Sequence, residues 1–496
     1  MAKKLPIDKF FESLNKEHIA LTYGDVRLVP QHSNYMPHEV NIGGRITKNV
    51  SLQSPVISAA MDTVTELKMA IAMALGGGLG VIHRNLSIEE QVKQITGVKR
   101  YMNGMIPGPV CLKETNTVYE VREMMSEKQF SFESFPVINE EGTLRGIVTG
   151  HNFKFAENDE MIKSIMTKKV ISGKQSTSIK EAEKIMRGHR IQCLPIASSK
   201  NKVTGMYVWS DVQRILGGNR EGYNLDKSGR LRVGAAIGAN QNDLERACEL
   251  VKAGVDILVI DTAHGDTDNV FKILREVKKR FGKTDVLVGN VSTAEAAKRL
   301  VKAGADGIKI GQGPGSICTT RIVAGIGVPQ VTAVYECVQA LRGTNVPVCA
   351  DGGITAPGDI TIALALGAES VMLGSMIAGC NEAPGEIFIT PDGERLKRYR
   401  GMGSPGALKA SVASRERYGH KEKSKATPEG VEGAVKAVGP LSEKMSYLIG
   451  GLRAGMGYNG AKNLKELREK AELIRITSAG MSESAPHDLE IITATH

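Results

Sequence analysis

The sequence predicts a (β/α)8 barrel, eight parallel strands alternating with helices, interrupted by one inserted domain. The first observation behind this is a set of eight short, nearly continuous apolar runs, the pattern of parallel strands covered on both faces. They are 55–61 "PVISAAM", 79–83 "LGVIH", 232–238 "RVGAAIG", 257–263 "ILVIDTA", 285–291 "DVLVGNV", 307–313 "GIKIGQG", 347–354 "PVCADGGI" and 370–376 "SVMLGSM". The second is a repeated join in which a helical segment ends on Ala-Gly or Leu-Gly just before the next run, as in "LVKAGVDILVI" and "LVKAGADGIKI". Glycine there supplies the left-handed stop of a helix. The third is a tandem repeat between the second and third runs, with Pro136 matching Pro195 and Gly146 matching Gly205. An open, doubly wound sheet of eight or nine strands is the competing arrangement.

Taken in order, residues 1–105 and 221–496 form the expected barrel, and 106–220 a two-module insert in one barrel loop, where insertion costs little if the ends lie close. Residues 380–440, after the eighth strand, are too long for a simple connection and read as a lid or a linker. The helix "EKMSYLIGGLRAGM" then closes the barrel.

Composition narrows the class. The 496 residues are 41% hydrophobic and 24% charged, ordinary for a globular protein. No apolar run approaches the roughly 20 residues of a membrane span, and the opening "MAKKLPIDKFFESLNKEH" has no apolar signal core, so a cytoplasmic location is expected. Seven scattered cysteines without CxxC pairs fit neither a disulfide framework nor a structural zinc site. The net charge of +10 is concentrated in residues 395–425, with ten Lys/Arg against two Asp/Glu. Such a patch is a solvated loop, a nucleic-acid contact or a lid over an anionic ligand. Aromatics at 4% give little for stacking bases, so a nucleic-acid partner is not expected.

In a barrel the site lies at the carboxyl ends of the strands. Asp62, His83, Asp261, Asn290, Asp351 and Ser375 all fall there, and Cys318 lies in the loop after the sixth strand. "DGGI" and "LGSM" put Gly352, Gly353, Gly374 and Ser375 where barrels bind phosphate through backbone N–H groups; tight turns alone would also use these glycines. Cys248, Cys337 and Cys349 read as core residues. Cys318 in "GPGSICTTR" is either such a residue or a nucleophile, with Lys309 and Arg321 near it in sequence as positive charges that favour a thiolate.

"GPGSICTTR", "DGGI", "LGSM", "YRGMGS" and the Arg-Tyr pair of the basic segment, with an insert of the cystathionine-β-synthase (CBS) type, resemble the inosine-5′-monophosphate (IMP) dehydrogenase/GMP reductase family over essentially the whole length. The resemblance implies a homotetramer that oxidises IMP to xanthosine monophosphate (XMP) with NAD⁺ and water. It implies Cys318 as the nucleophile, with Thr320, Arg417 and Tyr418 also catalytic. It implies Ser316, Gly353, Gly374, Ser375 and Tyr399 on the phosphate, Asp351 on the ribose, and Met61, Asn290, Gly401, Met402, Gly403 and Glu429 around the purine. Asp261, Gly311, Gly313 and Tyr458 would meet the dinucleotide, Tyr458 from a neighbouring subunit. K⁺ would sit on carbonyls of Gly313, Gly315 and Cys318 and of a neighbour's Glu483, Ser484 and Ala485. The basic segment becomes a mobile flap that delivers Arg417 as the base, a role at odds with a guanidinium pKa above about 12.

The insert departs from its own pattern. CBS modules commonly place a Thr and, three residues on, an Asp on an adenosine nucleotide; here the pairs are Thr149 with Asn152 and Val208 with Asp211. A purine-nucleotide effector and a purely structural role both stay open. Among rival functions, a GMP reductase is expected to lack the insert and the Arg417–Tyr418 pair, so their presence favours the dehydrogenase. A flavin-dependent barrel oxidoreductase and a non-enzymatic nucleotide sensor are the other readings.

Overall fold

The computed structural model describes residues 4–15, 17–102, 104–127, 134–217, 220–419 and 427–486. Residues 420–426 of the expected flap, and 128–133 and 218–219 of the expected insert, lie outside the described residues.

Each of the eight apolar runs contains one strand of a closed parallel barrel. They are β1 Val56–Ser58, β2 Leu79–Ile82, β3 Gly234–Ile237, β4 Ile257–Asp261, β5 Asp285–Val291, β6 Gly307–Ile310, β7 Val348–Asp351 and β8 Ser370–Leu373. They pair in sequence order, β8 returns to β1, and β2 closes on β3. The helix stops are where the joins predict them, with Gly254 at φ +89° and Gly304 at φ +106° just before β4 and β6. The interior is packed by alternate strand residues, Ile57, Leu79, Val81, Ala236, Ile257, Val259, Leu287, Cys349 and Met372, over Ile46, Val50 and Leu52. In parallel register Lys309 pairs with Gly289 and Cys349, so it shares the inward phase of Cys349. That single lysine, in an otherwise apolar strand, becomes the floor of the site.

Further elements surround the barrel. A three-stranded antiparallel sheet, β9 Ile387–Ile389, β10 Arg395–Arg400 and β11 Glu432–Lys436, follows β8. The helix Leu441–Tyr458 then lies on the helix Pro357–Ala365, where Gly451 and Gly455 leave no space for a Cβ, which would come within 2.3 Å of Pro357 and 2.7 Å of Thr361. The amino-terminal helix Pro6–Asn15 is fixed to the helix Gln330–Ala340 by Phe11 stacked on Tyr335 at 3.7 Å and by Asp8, which accepts from Tyr335, Gln339 and Arg342.

The chain divides into two compact units, residues 1–99 with 222–496, and residues 100–221. The second is built from two similar halves, Leu112–Lys113, Phe135–Ile138 and Leu144–Val148 in one, and Gly173–Lys174, Cys193–Ala197 and Val203–Val208 in the other. Pro136 and Pro195 hold the same place in the two sheets, and Gly146 and Gly205 each leave room for a methionine, Met166 and Met105. Among the described residues no helix is long and apolar enough to cross a membrane.

Candidate active site

At the carboxyl ends of the strands a cavity is lined by residues from six barrel loops and from the segment after β8. Its floor is a buried charge network. Lys309, 2% exposed, donates from Nζ to Asp351 Oδ2 at 2.6 Å, stands 3.1 Å from Asp261 Oδ1, and also donates to Asn290 Oδ1. Asn290 Nδ2 donates to Asp351 Oδ2 at 2.8 Å and to the Gly311 carbonyl at 2.7 Å. Buried charges persist only when paired and hydrogen-bonded, and every member here is. Lys309 is therefore committed to two carboxylates rather than to Cys318. Arg321 is likewise turned away, donating to the carbonyls of Gln312 at 3.2 Å and Val328 at 2.7 Å.

Cys318 sits in the loop after β6, its N–H on the Gly315 carbonyl at 3.0 Å. Its Sγ lies 3.2 Å from Thr320 Oγ1, which donates to Glu429 Oε2 at 2.8 Å. Cys318 is half-buried and lines the cavity, whereas Cys337 and Cys349 lie in the core, where burial pushes each thiol up to about 12. The loop is held by the later segment: Thr319 N–H donates to the Glu429 carbonyl and Val431 N–H to that of Ile317, both at 3.0 Å.

On one side the glycines of the β7 and β8 loops form a cradle. Gly352 and Gly353 have φ of +93° and +80°, and a Cβ on Gly374 would stand 2.8 Å from the Tyr399 hydroxyl. Burial pushes Tyr399 up to about 12, against hydrogen bonds with Ser316 and Ser375. On the other side the short helix Val412–Arg417 delivers Arg417, ion-paired with Asp261 Oδ2, and then Tyr418. Burial draws the guanidinium below its ordinary value, with Tyr418 opposing and Arg84 assisting, while Asp261 balances its charge. Its Nε is buried and, among the described residues, has no hydrogen-bond partner.

The cavity brings together Met61, Asp261, Asn290, Gly311, Gly313, Gly315, Ser316, Cys318, Thr320, Asp351, Gly353, Gly374, Ser375, Tyr399, Gly401, Met402, Arg417, Tyr418 and Glu429. Gly403 stands behind it, where a Cβ would lie 2.6 Å from Tyr418 Cζ. Tyr458, 69% exposed, and Glu483, Ser484 and Ala485, all exposed, do not line it within this chain. Asp62 and His83 are also outside, paired with Arg400 and Glu66. Sequence reasoning set Lys309 beside Cys318 and missed its place in the floor of the site, although a lysine centred in "GIKIG" was the signal.

A family described as "IMP dehydrogenase / GMP reductase domain" matches residues 20–487. The chain belongs to the IMP dehydrogenase/GMP reductase family. Inosine-5′-monophosphate dehydrogenase of Aquifex aeolicus is 46% identical over 478 residues, covering 95% of this chain and 96% of that protein. That of Bacillus subtilis is 45% identical over 475 residues, with the same coverage. The chain is thus an oxidoreductase of this family. Among solved structures, the C318A variant of GMP reductase from Trypanosoma brucei with guanosine 5′-monophosphate is 40% identical, with a TM-score of 0.84 over 96% of this chain and 100% of that one. Coverage this complete includes most of residues 100–221, so the insert does not separate dehydrogenase from reductase as the sequence reasoning expected.

Proposed function

We propose that the protein is an IMP dehydrogenase that oxidises IMP to XMP with NAD⁺ and water through a Cys318–purine intermediate. The observation that carries this reading is Arg417, partly buried in the cavity of Cys318 with a buried Nε–H that has no partner among the described residues, beside a second proton route through Thr320 and Glu429. A buried orphan donor calls for a ligand or water, and hydrolysis of a covalent intermediate needs that water oriented. Greater identity to the dehydrogenases, 44–46% against 37–40% for the reductases, agrees.

In this reading Ser316, Gly353, Gly374, Ser375 and Tyr399 hold the phosphate. Asp351 takes the ribose, and Met61, Asn290, Gly401, Met402, Gly403 and Glu429 surround the purine. Cys318 Sγ bonds to C2, hydride leaves C2, and the C–S bond later breaks as water adds, returning the thiol and releasing one proton overall. Asp261, Gly311 and Gly313 would hold NAD⁺, which would supply the hydride acceptor. Both Asp261 oxygens are engaged here, by Lys309 and by Arg417, so Arg417 and the dinucleotide ribose compete for it. Arg417 then acts after NADH leaves with Tyr418 carrying its proton, while Thr320 and Glu429 make up the second route.

The same reading makes the enzyme a cytoplasmic homotetramer, in which exposed Tyr458 serves a neighbour's dinucleotide site. Carbonyls of Gly313, Gly315 and Cys318, with Glu483, Ser484 and Ala485 of a neighbouring subunit, would hold K⁺; oxygen ligands suit a hard cation. The barrel unit carries the flap within residues 380–440, and the second unit is a tandem CBS domain. Its cleft, lined by Thr149, His151, Lys154, Lys169 and Arg190, has the charge for a purine-nucleotide phosphate. The Thr149 hydroxyl there donates to Asn152 at 2.9 Å in a helix cap.

GMP reductase is the second reading, favoured by the names of the structural relatives. The test is to mix the protein with IMP and NAD⁺ in K⁺ buffer and follow NADH, with Cys318→Ala alongside. NADH from the wild type alone supports the proposal. Silence there, with consumption of NADPH on GMP, assigns the reductase instead.

A further inference from the structure

We infer that Asn85, supported by Arg84, is the positioning residue that seats the Arg417 helix over the cavity, and that it governs the hydrolytic half of the reaction alone. This rests on the reading above. The helices Pro405–Ala410 and Val412–Arg417 have six residues each, too few to be stable without tertiary contacts. What holds the second is mostly polar. Asn85 follows β2 and sits between two carriers of the site. Its Nδ2 donates to Asp62 Oδ2 at 2.9 Å, on the carboxylate that also binds Arg400 at 2.7 Å, next to Gly401. Its Oδ1 accepts from Ser411 at 2.9 Å, the residue capping the Arg417 helix, and Ser414 Oγ stands 3.1 Å from Nδ2. Ser414 is fully buried and three residues before Arg417, on the same side of the helix.

Arg84 completes the seat, donating to the Ala413 carbonyl at 2.8 Å and pairing with Glu416 at 3.3 Å. The Asn85 N–H in turn donates to His83 Nδ1 at 3.1 Å, which fixes the turn. None of Arg84, Asn85, Ser411 or Ser414 lines the cavity. They can therefore shift the position of Arg417 without touching IMP. Since Arg417 and the dinucleotide compete for Asp261, hydride transfer does not need the helix seated, whereas hydrolysis does.

The test compares Asn85→Leu with wild type by rapid mixing with IMP and NAD⁺, reading the first-turnover formation of NADH and the steady-state rate separately. Loss of the hydrogen bonds to Ser411 and Ser414 is expected to lower the steady-state rate by about tenfold, with first-turnover NADH within about twofold and acid quenching trapping more purine on Cys318. The double variant Ser411→Ala, Ser414→Ala approaches the same groups from the other side, and combining it with Asn85→Leu adds little further loss. Thermal unfolding and IMP affinity report whether the variants fold. First-turnover and steady-state rates that fall together, or a steady-state rate that does not fall, overturn the assignment of Asn85 alone. A wild type that forms no NADH from IMP overturns the parent reading and this one with it.

Discussion

Lys309 Nζ lies 2.6 Å from Asp351 Oδ2, so the carboxylate expected on the substrate ribose is held from inside the barrel by a lysine 2% exposed. Removing one partner of a buried pair leaves the other uncompensated, at a cost of about 3 kcal/mol. Lys309→Met is expected to lower the melting temperature and to raise KM for IMP by about tenfold or more. Lys309→Arg keeps the charge and loses less of both. Thermal unfolding with initial rates over a range of IMP checks this.

How much of this was legible beforehand depends on the kind of periodicity involved. The barrel strands were readable because burial on both faces demands continuous apolar character, and β4, with its pattern fully buried, shows why "ILVID" could be nothing more polar. The cysteine loop and glycine turns were readable because they are contiguous. The role of Lys309 was not, since closeness to Cys318 in sequence gave the wrong neighbour, while strand phase points it inward beside Cys349. Asn85 was illegible for a different reason: its partners, Ser411 and Ser414, are more than three hundred positions away and joined only by closure of the chain.

Gly311 carries a backbone constraint. With φ +143° and a Cβ position 2.1 Å from the Asp351 carbonyl oxygen, it lets β6 and β7 approach where Asn290 donates to it. Backbone cannot yield as a side-chain tip does, so Gly311→Ala is expected to destabilise by more than about 2 kcal/mol. Lower soluble yield and an earlier melting transition than for Gly358→Ala, whose Cβ would meet nothing within 4 Å, are the outcome to measure.

Asp8 gives an acid-limb prediction. Burial alone would raise its pKa, but the Arg342 guanidinium, the Leu5 N–H and the Tyr335 hydroxyl outweigh it and hold the carboxyl below its ordinary value. A depressed folded pKa contributes stability that is present above the unfolded value, about 3.9, and lost as pH falls through the folded one. Asp8→Asn is thus expected to be less stable than wild type at neutral pH, with the difference shrinking below about pH 4. Denaturant unfolding at several pH values measures it.

Tyr399 tests the cradle. Its hydroxyl is buried beside Ser316, Ser375 and Gly374, and with its pKa pushed up to about 12 it remains a donor throughout the neutral range. One hydrogen bond to a charged group is worth about 1.5–3 kcal/mol. If that group is the substrate phosphate, Tyr399→Phe raises KM for IMP by one to two orders of magnitude, roughly, and leaves kcat nearly unchanged, the split expected for uniform binding.

The two proton routes are separable because they reach the cavity from different elements. Arg417 arrives on a helix after β10 and pairs with Asp261, whereas Thr320 follows Cys318 and is joined to Glu429 at 2.8 Å. General-base assistance contributes about 10²–10⁴-fold, so Arg417→Ala is expected to lower turnover by about 10²-fold or more while first-turnover NADH persists. Thr320→Val keeps the shape of the side chain but cuts the link from Cys318 to Glu429. Carried alone by Arg417, it should lose less than Arg417→Ala; combined with it, turnover should fall further than either, because each single variant still holds one route. Equal losses in both singles and in the double variant would mean that the residues form one relay, with Thr320 and Glu429 handing the proton to Arg417. First-turnover and steady-state NADH measurements on the three variants distinguish these outcomes.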